Sequence, residues 1–432
     1  HAAKVEDGPG GACPLISSCN QRLCHYKLCR AACQLRALDK SSRAVHTVYV
    51  EVFPLKRIFA ISLVLTLLLS AGAWAMTSEL LTIPAADGYP LAGKLSLPDG
   101  PARRLVIYVN GSGPNTYDNH RTTGETEFNY FDVFAENLTK EGVAFFSYST
   151  RGVTPGAQPP YFADIDDVWY QTYLPLNSVS DVEMMIHALT ADERLKDAEV
   201  YLLGWSEGTI IAPMVAQRKN ARVDALLLAG YVNISMDEVL TWQQSGGSSI
   251  MFYQDYFDAD GDGSISPAEY EADPNGIVPY LGVGFTDLDL DADGALTAHD
   301  FYLYLADDRE KVFDDFEGGN DQWLRENNPV ALTSAWYRQH CSLAPNSVVM
   351  PTLDLPIDIF HGTRDANIGV SGVYDIEAEF ARLHKTNLKT HIYEGADHDL
   401  NYMQYIYTGE LPEGIADIFA VCGAGLTNQS DA

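Results

Sequence analysis

Short runs of apolar residues alternate along most of the chain with longer stretches in which apolar residues recur at helical spacing. A short apolar run rich in strand-forming residues is typical of a buried strand, and helical spacing is typical of a helix packed on a sheet. Strands are predicted at residues 80–83, 91–95, 104–110, 143–148, 200–203, 223–228, 355–360 and 389–393. Helices are predicted at residues 131–141, 179–195, 207–216 and 373–383. This alternation predicts an α/β fold, a mostly parallel sheet with helices on both faces.

The alternation is interrupted once, after the strand at 223–228, and it resumes with the strand at 355–360. A chain of 432 residues is long enough for one large α/β domain with such an insertion. We therefore expect an α/β core in two parts, residues 76–232 and 350–432, with residues 233–349 inserted as a helical cap.

The first 75 residues differ in composition from the rest. Lys56-Arg57 precedes a mostly apolar stretch at 58–69, and Ala73-Trp74-Ala75 follows it. A basic start, a short apolar region and an A-x-A site are typical of a secretory signal peptide. We predict this peptide at 55–75, with cleavage after Ala75; a membrane anchor is the alternative. The mature protein is then secreted or periplasmic and has no stable membrane span.

Residues 1–54 precede this signal, although a signal peptide should begin its protein. They begin with His, show no hydrophobic periodicity and hold five cysteines, Cys13, Cys19, Cys24, Cys29 and Cys33. We interpret them as a non-native extension from an over-extended reading frame, disordered and without function; a disulfide or metal cluster is the alternative. Beyond the signal, Cys341 and Cys422 are the remaining cysteines, and an exported protein would permit one disulfide between them.

The chain is strongly acidic, with 59 Asp and Glu side chains against 28 Lys and Arg and a net charge of −31. This charge argues against nucleic acid or an anionic membrane surface as a partner. Part of the acidity lies in two loops with metal-ligand spacing, described below. The sequence leaves the oligomeric state open.

Gly204-Trp205-Ser206-Glu207-Gly208 lies between the strand at 200–203 and the helix that follows. A G-x-S-x-G pattern in this position is typical of a strained turn that exposes a nucleophilic serine at the N-terminus of a helix. Glycine is needed on both sides because the turn leaves no room for a side chain. We predict that Ser206 is a nucleophile; an ordinary serine in a strand–helix turn is the alternative.

A serine nucleophile needs a base, and the base needs an acid that orients it. On a parallel sheet, both come from loops at the carboxyl ends of later strands. Asp365 follows the strand at 355–360 and His398 follows the strand at 389–393, in the order Ser, Asp, His of the α/β-hydrolase arrangement. We predict Ser206, Asp365 and His398 as a catalytic triad. Competing candidates outside these loops are Asp354, Asp358, His187 and His361.

Two backbone N–H groups are expected to stabilise the oxyanion of such a reaction. One is that of Glu207, the residue after the nucleophile. The other is that of Ser112, in the loop Gly111-Ser112-Gly113-Pro114 after the strand at 104–110. Glycines allow this loop to approach a substrate closely, although a simple turn is the alternative.

Four motifs resemble one known group of proteins: Asn110–Asn115 (NGSGPN), Phe131–Leu138 (FDVFAENL), Ser149–Gly152 (STRG) and Gly204–Gly208 (GWSEG). Together they look like secreted or periplasmic bacterial α/β-hydrolases of the serine esterase, lysophospholipase-like and aminopeptidase-related group. The resemblance covers roughly residues 79–232 and 352–400 and implies ester or amide hydrolysis through the predicted triad. Asn110 and Trp205 stand where the group usually has His, at positions that shape the acyl pocket.

Residues 258–269 match the twelve-residue EF-hand loop, with Gly263 at the sharp turn. Ca²⁺ takes six to eight oxygen ligands, and this spacing folds them around one point. The predicted ligands are Asp258, Asp260, Asp262, the Ser264 carbonyl and Glu269. Solvated acidic loops are the alternative.

Residues 289–300 form a second loop of the same kind. Its last residue is Asp instead of Glu, which is expected to weaken Ca²⁺ binding or to make Mg²⁺ more competitive. Ile265 and Leu296, both at position 8, are apolar as the pairing of two coupled loops requires. The predicted ligands are Asp289, Asp291, Asp293, the Ala295 carbonyl and Asp300.

The paired loops lie in the insertion, where α/β-hydrolases commonly carry a lid, so we predict an EF-hand cap over the active site. Ca²⁺ is expected to hold this cap folded, with a regulatory role as the alternative. The sequence predicts an exported serine hydrolase, a carboxylesterase, that acts on a small-molecule or lipid-like ester without an organic cofactor. The alternatives are a peptidase or lysophospholipase with the same triad, and an extracellular Ca²⁺-binding module on an inactive hydrolase scaffold.

Overall fold

The structure is a computed structural model that describes residues 76–426, apart from 124, 125, 160, 161 and 329. The predicted signal peptide and the extension before it lie outside these residues. Within them, every helix is too short or too polar to span a bilayer.

Eight strands form the central sheet. Strand numbers follow the order of all twelve strands along the described residues, and the other four form two small hairpins. The strands of the central sheet are β1 (Thr77–Pro84), β2 (Pro90–Leu97), β3 (Arg104–Val109), β6 (Val143–Tyr148), β9 (Glu199–Trp205), β10 (Ala225–Ala229), β11 (Ile357–Gly362) and β12 (Leu388–Tyr393). Their spatial order is β1-β2-β6-β3-β9-β10-β11-β12. Only β1–β2 and β2–β6 pair in antiparallel fashion. This is the α/β-hydrolase fold, and the predicted fold class is confirmed.

Helices cover both faces of the sheet because the strands are apolar on both sides. Along β3, Leu105 and Ile107 belong to one core and Val106 and Tyr108 to the other. The first core is closed by α3 (Pro175–Thr190), α4 (Gly208–Arg218) and α15 (Ser371–Arg382). The second is closed by α1 (Tyr130–Lys140) and α17 (Glu413–Ala424).

Several short elements were not predicted. They are the hairpins β4 (His120–Thr123) with β5 (Thr126–Asn129) and β7 (Val153–Pro155) with β8 (Ala163–Ile165), and the helix α2 (Asp167–Tyr170). Helix α16 (Met403–Thr408) lies between β12 and α17. Cys341 is exposed, Cys422 is buried, and both are free thiols, so the disulfide that the sequence permitted is not formed.

The insertion between β10 and β11 is helical. Its helices are α5 (Met236–Gln244), α6 (Gly247–Phe257), α7 (Pro267–Ala272), α8 (Val278–Leu281), α9 (Phe285–Leu288), α10 (Ala298–Tyr304), α11 (Ala306–Gly318), α12 (Asp321–Asn327), α13 (Ser334–His340) and α14 (Asn346–Val349). The acidic loops and the helices around them share a small core of their own. Helices α5 and α11–α13 instead share a core with residues of the α/β domain, such as Ile210 and Val232.

Arg151, which follows β6, ties two parts of the α/β domain together. Its guanidinium donates two hydrogen bonds to Asp181 of α3, at 2.6 and 2.7 Å, and two to Asp87 in the β1–β2 turn, at 2.6 and 3.1 Å. Arg151 and Asp181 are each only 4% exposed, whereas Asp87 is 47% exposed. Burial raises the pKa of Asp181, and the neighbouring Arg151 opposes this shift. The ionised form of Asp181 therefore depends on Arg151.

We expect Arg151→Met to lower the free energy of unfolding by about 3–5 kcal/mol, because Asp181 keeps a buried carboxylate without its partner. Without the guanidinium, the pKa of Asp181 in the folded protein rises further above its value in the unfolded chain. A buried carboxyl group with a raised pKa destabilises the folded protein more as pH increases, so the loss in free energy of unfolding grows from about pH 5 to about pH 8. Urea unfolding at both pH values measures this. Arg194→Met removes half-exposed ion pairs with Asp192 and Glu79 and is expected to cost about 1 kcal/mol or less. Equal losses in the two variants would contradict the buried role of Arg151.

Candidate active site

Ser206 lies in the sharp turn between β9 and α4, with a left-handed backbone (φ +54°). A Cβ on Gly208 would lie 2.0 Å from Val109 O, and a Cβ on Gly204 would lie 2.4 Å from the carbonyl of Gly208. The turn therefore excludes a side chain at both glycines, as the G-x-S-x-G motif predicts. Ser206 N donates a hydrogen bond to Ala229 O of β10 at 3.0 Å, which fixes the turn against the neighbouring strand.

The loops after β11 and β12 bring Asp365 and His398 together. Asp365 is completely buried, and its Oδ2 lies 2.7 Å from His398 Nδ1. Its Oδ1 accepts hydrogen bonds from the N–H groups of Asn367 and Ile368, both at 2.8 Å. An ionised carboxylate can only accept, so Nδ1 carries a proton, and when the ring is neutral its lone pair is on Nε2. This is the tautomer that a general base requires.

Gly230 lets the His398 ring lie beside the serine turn. Gly230 follows Ala229, whose carbonyl accepts the hydrogen bond from Ser206 N. A Cβ on Gly230 (φ +60°) would lie 2.7 Å from His398 Cε1, so any side chain here would displace the imidazole. Trp205 Nε1 donates to His398 O at 3.2 Å. Ser206 Oγ has no hydrogen-bond partner among the described residues, and such bonds are often long until substrate binds.

Carboxylates around His398 determine its pKa. Burial lowers the pKa of His398, but the charge and hydrogen bond of Asp365, with smaller contributions from Asp399 and Asp397, outweigh burial and raise it to about 9. Burial and the charge of Asp399 raise the pKa of Asp397 to about 6. Burial acts to raise the pKa of Asp365 as well, yet His398 offsets it and holds that pKa below its usual value. His398 is therefore a strong base that is largely protonated at neutral pH.

The other candidates from the sequence are engaged elsewhere. His361 is fully buried; its Nδ1 accepts from a backbone N–H at 2.9 Å and its Nε2 donates to a backbone carbonyl at 3.0 Å. Burial lowers the pKa of His361, so it lies next to Asp365 as a neutral side chain. His187 lies in α3, Asp358 pairs with His391 at 2.7 Å, and Asp354 pairs with Lys385 at 2.9 Å.

The predicted oxyanion loop lies against the serine turn. A Cβ on Gly111 would lie 3.1 Å from Ser206 Cβ, so the loop and the serine are in close contact. Within the described part of the chain, the N–H groups of Ser112 and Glu207 donate to no protein acceptor. Neither predicted donor is therefore occupied by a protein acceptor, as an oxyanion donor requires.

The side chain of Glu207 belongs to the site and was missed by the sequence analysis. It is 1% exposed and accepts hydrogen bonds from Tyr173 Oη, from Trp336 Nε1 at 3.0 Å and from His340 Nε2 at 2.9 Å. Trp336 and His340 lie on α13 of the insertion. The signal in the sequence is an acidic residue at the start of an otherwise apolar helix, where an unpaired charge would be costly.

The two acidic loops of the insertion have the same arrangement. They are joined by an antiparallel bridge between Ile265 and Leu296, with N–H···O distances of 3.1 and 2.8 Å. In each loop three carboxylates have oxygens within 4.8 Å of one another: Asp258, Asp260 and Asp262, and Asp289, Asp291 and Asp293.

The remaining predicted ligands surround these two groups of three. Glu269 and Asp300 are not members of them; each accepts hydrogen bonds from backbone N–H groups at the second and third positions of its own loop, and Asp300 is fully buried. The carbonyls of Ser264 and Ala295 accept no hydrogen bond from the described residues. Each loop therefore keeps a carbonyl oxygen without a protein donor at the seventh position.

The insertion touches the site from two sides. Asp255 of α6, one turn before the first acidic loop, forms an ion pair with Arg364, the neighbour of Asp365. Gln243 Nε2 of α5 donates to Asn367 O at 2.7 Å. The ion pair of Asp255 joins the EF-like half of the insertion (α6–α10, with both acidic loops) to the loop of Asp365, and α5 contacts the same loop through Gln243. Helix α13 reaches the serine turn. The insertion therefore packs against both sides of the candidate site.

The sequence matches no family model and no curated protein. Among solved structures, an esterase from Exiguobacterium antarcticum is 16% identical, with 78% of this chain and 98% of that chain covered and a TM-score of 0.38. An esterase from Pyrococcus furiosus is 11% identical, with 81% and 90% covered and a TM-score of 0.43. An acylaminoacyl peptidase from Pyrococcus horikoshii is 11% identical, with 81% and 41% covered and a TM-score of 0.44. Likenesses this distant concern the fold and say nothing of the substrate.

We expect the imidazole of His398 to titrate at about pH 9, because the carboxylates around it favour the charged ring. Histidine-selective NMR on Ser206→Ala protein measures this, with the resonance assigned by its loss in His398→Gln. Asp365→Asn removes the largest upward contribution and is expected to lower the His398 pKa by more than about one unit. Asp354→Asn, at an exposed acid paired with Lys385, is expected to leave it unchanged. A wild-type value of about 6.5 or lower would contradict the role of the carboxylates.

Proposed function

We propose that this protein is an exported serine hydrolase that cleaves carboxylic esters through Ser206, His398 and Asp365. One observation carries the proposal. A serine with a left-handed backbone lies in a strand–helix turn, and an Asp–His pair with a 2.7 Å hydrogen bond lies at the ends of strands in the same half of the sheet. A serine with only a structural role in a turn would not require a buried Asp–His pair nearby, whereas a nucleophilic serine does. Export rests on the signal-peptide motif.

In the first half of the reaction, His398 Nε2 accepts the hydroxyl proton of Ser206 as Oγ bonds to the ester carbonyl carbon. Asp365 orients the imidazole and stabilises its charged form. The carbonyl oxygen becomes an oxyanion, to which the N–H groups of Glu207 and Ser112 donate. His398 then gives its proton to the alcohol oxygen as the C–O bond breaks, and the acyl group remains on Ser206.

In the second half, water attacks the acyl carbon while His398 Nε2 takes one of its protons. The bond to Ser206 Oγ then breaks, Oγ regains a proton from His398, and the carboxylic acid leaves. A His398 pKa of about 9 stabilises the imidazolium but leaves little free base at neutral pH. The rate is therefore expected to rise with pH up to that value.

We also propose that Ca²⁺ binds both acidic loops and stabilises the insertion. Three carboxylates with oxygens within 4.8 Å repel one another unless a cation lies between them. Asp289 Oδ1 is buried and has no hydrogen-bond partner, which a metal ligand would explain. The first loop would bind through Asp258, Asp260, Asp262, the Ser264 carbonyl and Glu269. The second would bind through Asp289, Asp291, Asp293, the Ala295 carbonyl and Asp300, with weaker Ca²⁺ affinity or more tolerance of Mg²⁺ because of the shorter Asp300.

Ser206→Ala is expected to lower turnover of p-nitrophenyl esters by at least about 10³-fold and to abolish labelling by a fluorophosphonate. Ser347→Ala, at an exposed serine of α14, serves as the matched control and is expected to retain both ester turnover and fluorophosphonate labelling. The wild-type rate, measured across acyl lengths, should increase from neutral pH towards about pH 9. A rate independent of pH would remove His398 as the base.

The same experiment separates the alternatives. Labelling without ester turnover would favour a peptidase, and preference for long acyl chains on a glycerophospholipid would favour a lysophospholipase. Absence of both labelling and turnover would leave an extracellular Ca²⁺-binding protein on an inactive scaffold.

Calorimetric titration with Ca²⁺ is expected to give two sites per chain, and each site filled at 100-fold excess over its Kd should stabilise the insertion by about 2–3 kcal/mol. Asp260→Asn is expected to weaken the first site only. Asp314→Asn, at an exposed acid of α11 outside both loops, is the control and should bind like wild type. A chelator should lower both the melting temperature and turnover, because α6 contacts the loop of Asp365 through Arg364. A melting temperature unaffected by Ca²⁺ and chelator would contradict the stabilising role.

A further inference from the structure

The carboxylate of Glu207 joins three parts of the molecule directly behind the serine turn. Its Oε2 accepts a hydrogen bond from Tyr173, which lies before α3 in the α/β core. Its Oε1 accepts from Trp336 at 3.0 Å and from His340 at 2.9 Å, both on α13. Tyr173 and Trp336 are the donors in their contacts, and His340 donates in the tautomer that carries its proton on Nε2. Because Glu207 is only 1% exposed, its carboxyl group has no access to water, and these three donors take the place of water molecules.

The contact with Tyr173 continues to the oxyanion loop. Gly113 N donates a hydrogen bond to Tyr173 Oη at 3.3 Å, so the hydroxyl accepts from the loop and donates to Glu207. Gly113 is the neighbour of Ser112, whose N–H is one proposed oxyanion donor. Glu207 thus offers the other donor through its backbone and restrains the loop of Ser112 through its side chain.

We propose that the Glu207 side chain is a positioning residue: through the Tyr173 hydroxyl it holds the N–H groups of Ser112 and Glu207 in the geometry that oxyanion stabilisation needs. This role rests on the serine-hydrolase function proposed above. The carboxylate acts through Tyr173 and does not contact the reacting atoms. Misplaced donors weaken an interaction that exists chiefly in the transition state, so kcat falls while KM changes little.

Other contacts keep the loop folded when this one is lost. Thr150 Oγ1 donates to Gly113 O at 3.0 Å, and Asn115 Nδ2 donates to Gly111 O at 3.0 Å. These bonds hold carbonyl groups, whereas Tyr173 holds an N–H group. Removing the Tyr173 hydroxyl is therefore expected to shift the donors without unfolding the protein.

The contact with α13 has a second consequence. Lifting α13 from the serine turn would take two donors from a buried carboxylate, which is more costly than breaking contacts between apolar groups. We therefore expect helix α13 to stay packed against the serine turn.

The decisive test compares Tyr173→Phe with Tyr170→Phe. The two rings lie 5.5 Å apart, both are buried, and the Tyr170 hydroxyl has no hydrogen-bond partner among the residues that the structure describes. Tyr173→Phe is expected to lower kcat for p-nitrophenyl acetate roughly 10- to 100-fold, with KM within about twofold. The rate of fluorophosphonate labelling should fall by a similar factor, because that reaction also develops charge on the oxyanion. Tyr170→Phe is expected to match wild type, and both variants should melt within a few degrees of it.

Glu207→Gln is the second variant. It keeps the shape of the side chain but replaces one acceptor oxygen with an NH₂ group, so at least one of the three donors loses its acceptor. Its kcat is expected to fall at least as far as that of Tyr173→Phe, with a lower melting temperature as well.

The outcomes distinguish this inference from the proposed function. If wild type hydrolyses esters, Ser206→Ala does not, and Tyr173→Phe equals wild type, the positioning role is wrong and the serine-hydrolase function stands. Equal loss of kcat in both Tyr variants, or loss that follows the melting temperature, would also contradict it, because a structural effect would then suffice. Wild type that neither turns over substrate nor reacts with the fluorophosphonate would overturn the function and the inference together.

Discussion

The left-handed backbone at Ser206 is the constraint from which the rest of the site is built. A strained residue of this kind persists only where its surroundings fix it. Here β9 lies in the middle of the sheet, and α4 packs so closely that Gly208 approaches the backbone of Val109. The hydrogen bond from Ser206 N to Ala229 O then carries the restraint to β10 and to Gly230, which makes room for His398. The position of His398 is thus tied to the turn that exposes Ser206.

The three buried carboxylates at or near this turn are compensated in different ways, and each way matches a different role. Asp181 has the full positive charge of Arg151, as a structural tie requires. Glu207 has only side-chain donors from aromatic and imidazole groups, which fix direction. Asp365 accepts hydrogen bonds from two backbone N–H groups at Oδ1 and pairs with His398 at Oδ2, so its second oxygen interacts with the imidazole alone among these donors. The resulting rise in the His398 pKa strengthens the base while reducing its free fraction at neutral pH.

The sequence predicted those features that depend on local rules. Buried parallel strands are continuous apolar runs, so β10 and β11 could be recognised, and the G-x-S-x-G turn and the acidic loops follow fixed spacings. The boundaries were less certain: α3 begins at Pro175, which suits a first helical turn, and ends at Thr190 instead of residue 195. The partners of Glu207 could not be predicted, because Trp336 and His340 lie 129 and 133 residues away along the chain. The two small hairpins have few buried residues and therefore no hydrophobic period to detect.

The two halves of the insertion have different sources of stability, and this explains where a cation would act. Phe316, Leu324 and Trp336 share a core with Ile210 and Val232, so their half folds as part of the α/β domain. The EF-like half has only its own thirteen buried hydrophobic side chains, and a core of this size rarely stabilises a fold alone. Its clustered carboxylates oppose folding further. Ca²⁺ would remove that repulsion in the half of the insertion that has the least core. Asp255 of α6 connects this half to Arg364, beside Asp365. A cation in the acidic loops would therefore affect the site by determining whether this half is folded against the loop of Asp365.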